Sequence, residues 1–254
     1  MRLKQLAAAL IVGFLLLCVV ALKGQQVVRA RSMPPDISEQ SRIVQELMKS
    51  DAGNISDAVD EVTGHRGFMY HDMKPVFKAR IVGPAVTAVL RPVMKNDKTD
   101  YPNYNIQILD EAPAGSIIVY VLEDGMEIAG IGNLMATTAK VRGLAGAVID
   151  GGARDTEDIE RLGFPVFSRS ITPATSVGRL VAVAKQVPVI CAGVLVRPGD
   201  YIVADRDGVV VVPFDKVDRV IEAVRQYDDK ESKMIPIIKQ EKSMQKALAK
   251  YNRY

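Results

Sequence analysis

Cysteine is nearly absent from this chain of 254 residues: Cys18 and Cys191 are the only two. Cys18 falls inside an apolar leader, so the remainder holds one thiol, and no disulfide can form within it in any redox compartment. Histidine is as scarce. His65 and His71 are not spaced as a metal-binding pair on a helix, and no Cys/His pattern suggests zinc. Both read as polar loop residues. Excess charge is also lacking. The formal net charge is +3, and Arg2, Lys4, Lys23, Arg29 and Arg31 all sit at the amino-terminal end. The rest of the chain is therefore close to neutral and offers no electrostatic reason to expect nucleic-acid binding. Internal repeats and low-complexity tracts are missing. The DxDG pattern at Asp205–Gly208 has no downstream Glu to complete a calcium loop, and reads instead as a hairpin turn with Gly208 at a positive φ.

What is present is ordinary globular composition, 48% hydrophobic and 25% charged, which excludes a disordered polyelectrolyte. The length allows one large domain or two small ones with a substantial core. Leu6–Leu22 (LAAALIVGFLLLCVVAL) runs without a charge between Lys4 and Lys23. A basic start followed by an apolar run reads as a signal peptide or membrane anchor over residues 1–23. Val28-Arg29-Ala30 offers a cleavage-like pattern of small residues. Positive charge ahead of the run predicts export, to the periplasm or anchored to the inner membrane by this segment alone. Residues 24–35 read as a linker ending in Pro34-Pro35, and residues 36–254 as the folded domain with a helical tail.

Within that domain the patterns predict helices over Ile37–Lys49, Ile55–Val62, Asn105–Asp110, Leu134–Arg142 and Thr156–Leu162. They predict strands over Ala79–Leu90, Gly115–Leu122, Gly146–Asp150 and Pro165–Phe167, then Val187–Ala192, Val194–Val196, Tyr201–Ala204 and Val209–Val212. Pro84 inside its strand marks an edge or a bulge. Val217–Tyr251 reads as helical and charged, broken at Pro236. Short strands mixed with helices argue for one compact α/β domain.

The chemistry lies in Gly132–Ile159, GNLMATTAKVRGLAGAVIDGGARDTEDI. Gly130 and Gly132 bracket a helix entrance, where the amides of Asn133, Leu134 and Met135 would face whatever lies in front, a ready site for a carboxylate. The chain then runs through a helix and a strand to Asp150, turns sharply at Gly151-Gly152, and presents Arg154 and Asp155 at the strand's carboxyl end, where open α/β folds place ligands. Local pattern leaves a second reading open. Asp155 could cap the following helix, with Asp158 supporting its first turn.

This segment, with ISDAVDEV (Ile55–Val62), ARIVGPAVTAV (Ala79–Val89) and VLVRPGDYIVADRDGVVVVP (Val194–Pro213), resembles the RraA-like and class II pyruvate aldolase family. That family holds 4-hydroxy-4-methyl-2-oxoglutarate aldolase, oxaloacetate decarboxylase and regulators of ribonuclease E. The aldolases share an acid, twenty residues, then Arg-Asp. Here Asn133 stands at the acid's position before Arg154-Asp155, and Arg154-Asp155-x-x-Asp158 fits the RraA-like pattern. The resemblance covers about Ile37 to Lys246. It implies an α/β sandwich with a swivelling β/β/α core, here preceded by an N-terminal hydrophobic helix, and a homotrimer or hexamer with active sites between subunits. It implies Asp155 as ligand to a divalent metal, Mg²⁺ or Mn²⁺, and Arg154 on the pyruvyl oxygen of a small 2-oxo acid. The amides of Leu134 and Met135 would hold its carboxylate, and Glu231 of a neighbouring subunit would join the metal shell through water. Asn133 is neutral and cannot act as a base. The readings that follow are a metal-dependent carbon–carbon lyase, a non-catalytic RraA-like regulator, or a related lyase or dehydratase with another substrate.

Overall fold

In the computed structural model, residues 37–251 are described, except residue 97. The first helix, α1 (Ile37–Leu47), buries Ile43 and Leu47, one turn apart on one face. It ends short of Lys49. The second, α2 (Ala52–Thr63), starts ahead of Ile55 because Asp51 is its N-cap and accepts the Asn54 amide at 2.9 Å. It stops at Gly64 in the left-handed region, φ 71. His65 and His71 lie in the connection that follows, ahead of β1 (Lys74–Pro75).

The chain continues through β2 (Ile81–Pro92), α3 (Tyr104–Glu111), β3 (Ile117–Leu122), β4 (Ala129–Ile131), α4 (Asn133–Val141), β5 (Gly146–Ala153), α5 (Thr156–Leu162) and β6 (Val166–Ile171). After β7 (Leu180–Lys185) come β8 (Val189–Cys191), β9 (Val194–Val196), β10 (Tyr201–Ala204) and β11 (Val209–Val212). A 3₁₀ turn at Phe214–Lys216 leads into α6 (Val217–Glu241) and α7 (Met244–Lys250). The described residues belong to one compact unit.

This is a mixed α/β fold. Nine strands form one sheet in the order β1-β6-β5-β3-β2-β10-β11, with β4 added beside β5 and β7 beside β2, curled into a nearly closed, barrel-like surface. Strands β2, β3, β5 and β6 run parallel, and β2, β3 and β5 are buried along most of their length, as strands covered on both faces are. The inner face carries Ile81, Ala85, Ile117, Val119, Val148, Phe167, Ile202 and Val211, packed against Val189, Cys191, Val194 and Val196 of the β8–β9 hairpin. The outer face divides. Helices α3, α4 and α5 cover one cluster, which includes Ile108, Ala136 and Ile159. Helices α1, α2 and α6 cover the other, which includes Ile43, Ile55, Val203 and Val220.

Several expectations change on this scaffold. Pro84 is neither at an edge nor in a bulge: β2 lies inside the sheet, and Pro84 sits where its partner changes from β10 (Ile81–Pro84) to β3 (from Ala85), so its missing N–H costs no ladder bond. Pro236 does not break its helix, which runs on to Glu241 and stops where Lys242 turns left-handed, φ 47. Helix α7 contacts α6, and both Met234 and Ala247 are buried there. Gly208 needs no positive φ, because Asp205 closes the turn instead. Its amide donates to the Gly208 carbonyl at 3.0 Å and its Oδ1 accepts the Asp207 amide at 2.9 Å. Strand β5 continues through Gly151-Gly152 to Ala153, so the pair makes no sharp turn. A side chain at Gly152 would meet the Ile128 carbonyl at 2.8 Å, so glycine there permits the approach of β4.

The expected placement outside the cytoplasm, exported or held at the inner membrane, is corrected. It rested on one apolar run, and among the described residues no helix is long and apolar enough to cross a membrane. The leader at residues 1–23, its hydrophobic helix and the linker to residue 35 lie outside the described residues.

Candidate functional site

Strands β4 and β5 are parallel neighbours, so the chain leaving β4 for α4 and the chain leaving β5 for α5 emerge side by side. This is the carboxyl end of the strands, where ligands bind in open α/β sheets. The Arg154 amide donates to the Ile131 carbonyl at 3.1 Å and ties the two exits together. Asp155 Oδ2 accepts the Asn133 amide at 3.0 Å, and Arg154 Nε lies 3.7 Å from the same oxygen. The two side chains are 40% and 39% exposed, which leaves both reachable by a ligand. Sequence reasoning placed the cation, the acid and the helix entrance together, and the fold brings them together.

The cap reading of Asp155 resolves in a different form. Asp155 stands at the N-cap position of α5 but adopts the left-handed region, φ 55 and ψ 38, and makes no side-chain bond to that helix. Its carboxylate caps α4 instead, reaching across from the end of β5. Aspartate tolerates this backbone region better than most residues. In the first turn of α4 the Ala136 amide reaches the Gly132 carbonyl at 3.0 Å, while the amides of Leu134 and Met135 have no intrahelical acceptor. The Leu134 side chain is 83% exposed, and Met135 packs half-buried on the core.

Asn133 Oδ1 accepts the Thr137 hydroxyl at 3.2 Å, so its side chain lies along α4. Asp158 pairs with Arg161 on the surface of α5 rather than with Arg154. Glu231 lies on α6, over the other outer cluster, where its Oε2 accepts from Asn54 Nδ2 at 3.0 Å; the same nitrogen reaches Asp228 at 2.9 Å. Within one chain, Glu231 is thus engaged away from the Arg154–Asp155 pair. Among the described residues no group of three His, Cys, Asp or Glu side chains could hold a metal ion. Among the described residues the hydrogen bond to Asp155 falls on Oδ2, which leaves Oδ1 to accept from a ligand.

Sequence reasoning missed a second polar cluster. Arg169 on β6 holds Asp72 through Nε at 3.1 Å and Nη2 at 2.8 Å, and Asp150 through Nη1 at 2.9 Å. Asp150 Oδ2 accepts the Ala192 amide at 2.6 Å and so fixes the β8–β9 turn. Arg169 holds the Asp72 carboxyl below the usual carboxylate range, and the two acids raise the Arg169 pKa in return. Arg169 also stacks on Tyr70, 5.3 Å from the ring centroid. Arg66 lies 5.2 Å from the same ring and 5.1 Å from that of Phe68. No local pattern signals this cluster, since its members come from four separate segments.

Residues 52–211 match the family model RraA-like, described as Aldolase/RraA. The chain is 31% identical over 180 residues to Protein DlpA of Legionella pneumophila, a match that covers 70% of this chain and 29% of DlpA. It is 30% identical over 113 residues to the 4-hydroxy-4-methyl-2-oxoglutarate aldolase of Thermus thermophilus, covering 42% of this chain and 65% of that enzyme. The chain thus spans less than a third of DlpA and just under two thirds of the aldolase. Among solved structures it is similar to Streptomyces coelicolor RraAS2, an unusual member of the RNase ES inhibitor RraA protein family. The TM-score is 0.69 at 28% identity, covering 79% of this chain and 96% of that one.

Proposed function

We propose that this chain, which belongs to the RraA-like (Aldolase/RraA) family, is a divalent-metal-dependent carbon–carbon lyase acting on a small 2-oxo acid, of the 4-hydroxy-4-methyl-2-oxoglutarate aldolase and oxaloacetate decarboxylase type. The observation that carries this reading is the Arg154–Asp155 pair set against the first turn of α4. The amides of Leu134 and Met135 bind the substrate carboxylate at that helix end. The Arg154 guanidinium lies against the keto oxygen, where negative charge grows as the carbon–carbon bond breaks. Asp155 would be the chain's own ligand for Mg²⁺ or Mn²⁺, and one carboxylate suits Mg²⁺, which keeps several waters. The bound ion would supply Lewis acidity toward the keto oxygen.

Asn133 selects between the two reactions. Retro-aldol cleavage requires a base to take the proton of the substrate hydroxyl. Decarboxylation of oxaloacetate requires none, because the carboxylate leaves as CO₂ and its electrons pass into the pyruvate enolate. A neutral amide engaged with Thr137 supports decarboxylation as the stronger activity of this chain. On the same reading the chain is a homotrimer or hexamer in which Glu231 of a neighbouring subunit joins the metal shell. The exposure of Leu134, 83%, and of Ile171, 65%, on either side of the Arg154–Asp155 pair supports a covering neighbour. The second reading, a non-catalytic RraA-like regulator, is favoured by the same loss of an acid at Asn133.

The test is release of pyruvate from oxaloacetate by the full chain with Mg²⁺. Activity that falls with Asp155→Ala and with Asp155→Asn is expected. Asn still serves as a hydrogen-bond acceptor but brings no charge, so the fold survives it. No pyruvate above the uncatalysed rate from the unmodified chain would reject the lyase reading in favour of the regulator.

A further inference from the structure

The geometry points to Gly132 as a positioning residue: its missing side chain lets Asp155 reach across from β5 to cap α4, so that the acid and the helix start form one latched unit. Three observations converge. A Cβ built on Gly132 would lie 2.7 Å from Asp155 Oδ2, 3.1 Å from Arg154 Nε and 3.2 Å from Arg154 Cγ. Gly132 is itself extended, φ −145, so any residue could adopt its backbone, and the requirement for glycine is one of space alone. Asp155 meanwhile holds a left-handed conformation, φ 55, a cost its helix cap helps to offset.

The latch has a consequence for the site. The oxygen that caps α4 and the oxygen left for a ligand belong to one carboxylate. A displacement of Oδ2 large enough to relieve a 2.7 Å contact therefore moves Oδ1 and weakens the bond to the Asn133 amide together. Gly132 touches neither substrate nor metal in this arrangement and acts only through Asp155 and Arg154. The inference rests on the proposed function for its metal readout, but its structural content stands without it.

The test is Gly132→Ala in the full chain. The atoms it strikes belong to side chains and not to the backbone, so the variant should fold and the damage should stay local. Exchange of the Asn133 amide with solvent should quicken about tenfold, the protection of one cap bond, while amides of β3 and β5 keep their rates. Mn²⁺ affinity should fall by about ten- to a hundredfold, as for other residues that orient a ligand. Asp155→Asn should keep Asn133 protected while losing Mn²⁺. In an Asp155→Ala background, Gly132→Ala should add no further change at Asn133. Unchanged Asn133 exchange in Gly132→Ala overturns the latch, and so does uniform acceleration across the sheet. If the unmodified chain takes up no Mn²⁺, the metal reading fails and the amide exchange alone decides the latch.

Discussion

Arg169→Met removes the guanidinium that holds Asp72 and Asp150 together. Three nitrogens are engaged: Nε and Nη2 on Asp72 and Nη1 on Asp150, the last at 2.9 Å. The side chains are 22% exposed for Arg169, 32% for Asp72 and 14% for Asp150, so this is neither a surface pair nor a fully buried one. Breaking a buried pair costs about 3–5 kcal/mol; solvent at Asp72 reduces that to about 2–3 kcal/mol here. At about 2–4 °C per kcal/mol for a chain of this size, the melting temperature should fall by about 4–12 °C. The pH dependence discriminates further. Hydrogen bonds from Arg169 hold the folded-state Asp72 pKa below its ordinary value. Its contribution is therefore fully present above the ordinary carboxylate pKa, and is lost as pH falls through the depressed one. The stability gap between the native chain and Arg169→Met should be widest near neutrality and narrow below about pH 4. Calorimetry of both chains from neutral pH into acid checks this. A gap that is absent at pH 7, or constant down the whole range, refutes the reasoning.

Two further outcomes are expected. Gly193→Ala should destabilise the β8–β9 turn, because φ there is 83 and the new Cβ would lie 2.6 Å from the Tyr70 ring; denaturant unfolding should show a loss of about 1–3 kcal/mol, and no loss would mean the turn repacks freely. Asn133→Asp restores an acid at the start of α4, where a negative charge is favourable. It should raise Mn²⁺ affinity and Mg²⁺-dependent pyruvate release, and no change in either would mean that position 133 does not face the ion.

The sequence carried the juxtaposition of Arg154, Asp155 and the α4 entrance better than it carried the fold around them. Gly132, Asn133, Arg154 and Asp155 lie in one stretch whose strand and helix signals are local, so their convergence followed from the order of elements. The GSIIVYVL strand was legible for the same reason. Longer-range facts were not. The part played by Pro84 depends on which strand pairs with which half of β2, and no local pattern states that. Pro236 stays helical in a helix that α7 packs against, a tertiary effect that overrides a propensity of about 3 kcal/mol. Strand β7, LVAVAK, was overlooked between two better signals. The Arg169 cluster draws Tyr70, Asp72, Asp150 and Ala192 from across the chain, and only folding reveals it.

The two readings of Asp155, cap and ligand, compete only while the capped helix is taken to be the one that follows it. The cap lies on α4, so the bond that stabilises the fold and the group that can face a ligand occupy different oxygens of one side chain. A residue loaded in this way gives a distinctive mutational signature. Loss of the charge with the shape retained should spare the fold and end metal binding, and loss of both should expose the α4 entrance as well. The same logic bears on Asn133, whose amide N–H is spent on Asp155 while its side chain turns to Thr137. Position 133 therefore gives its backbone amide to Asp155 in this chain, and an acid installed there must first leave Thr137 before it can add to the charge that Asp155 supplies.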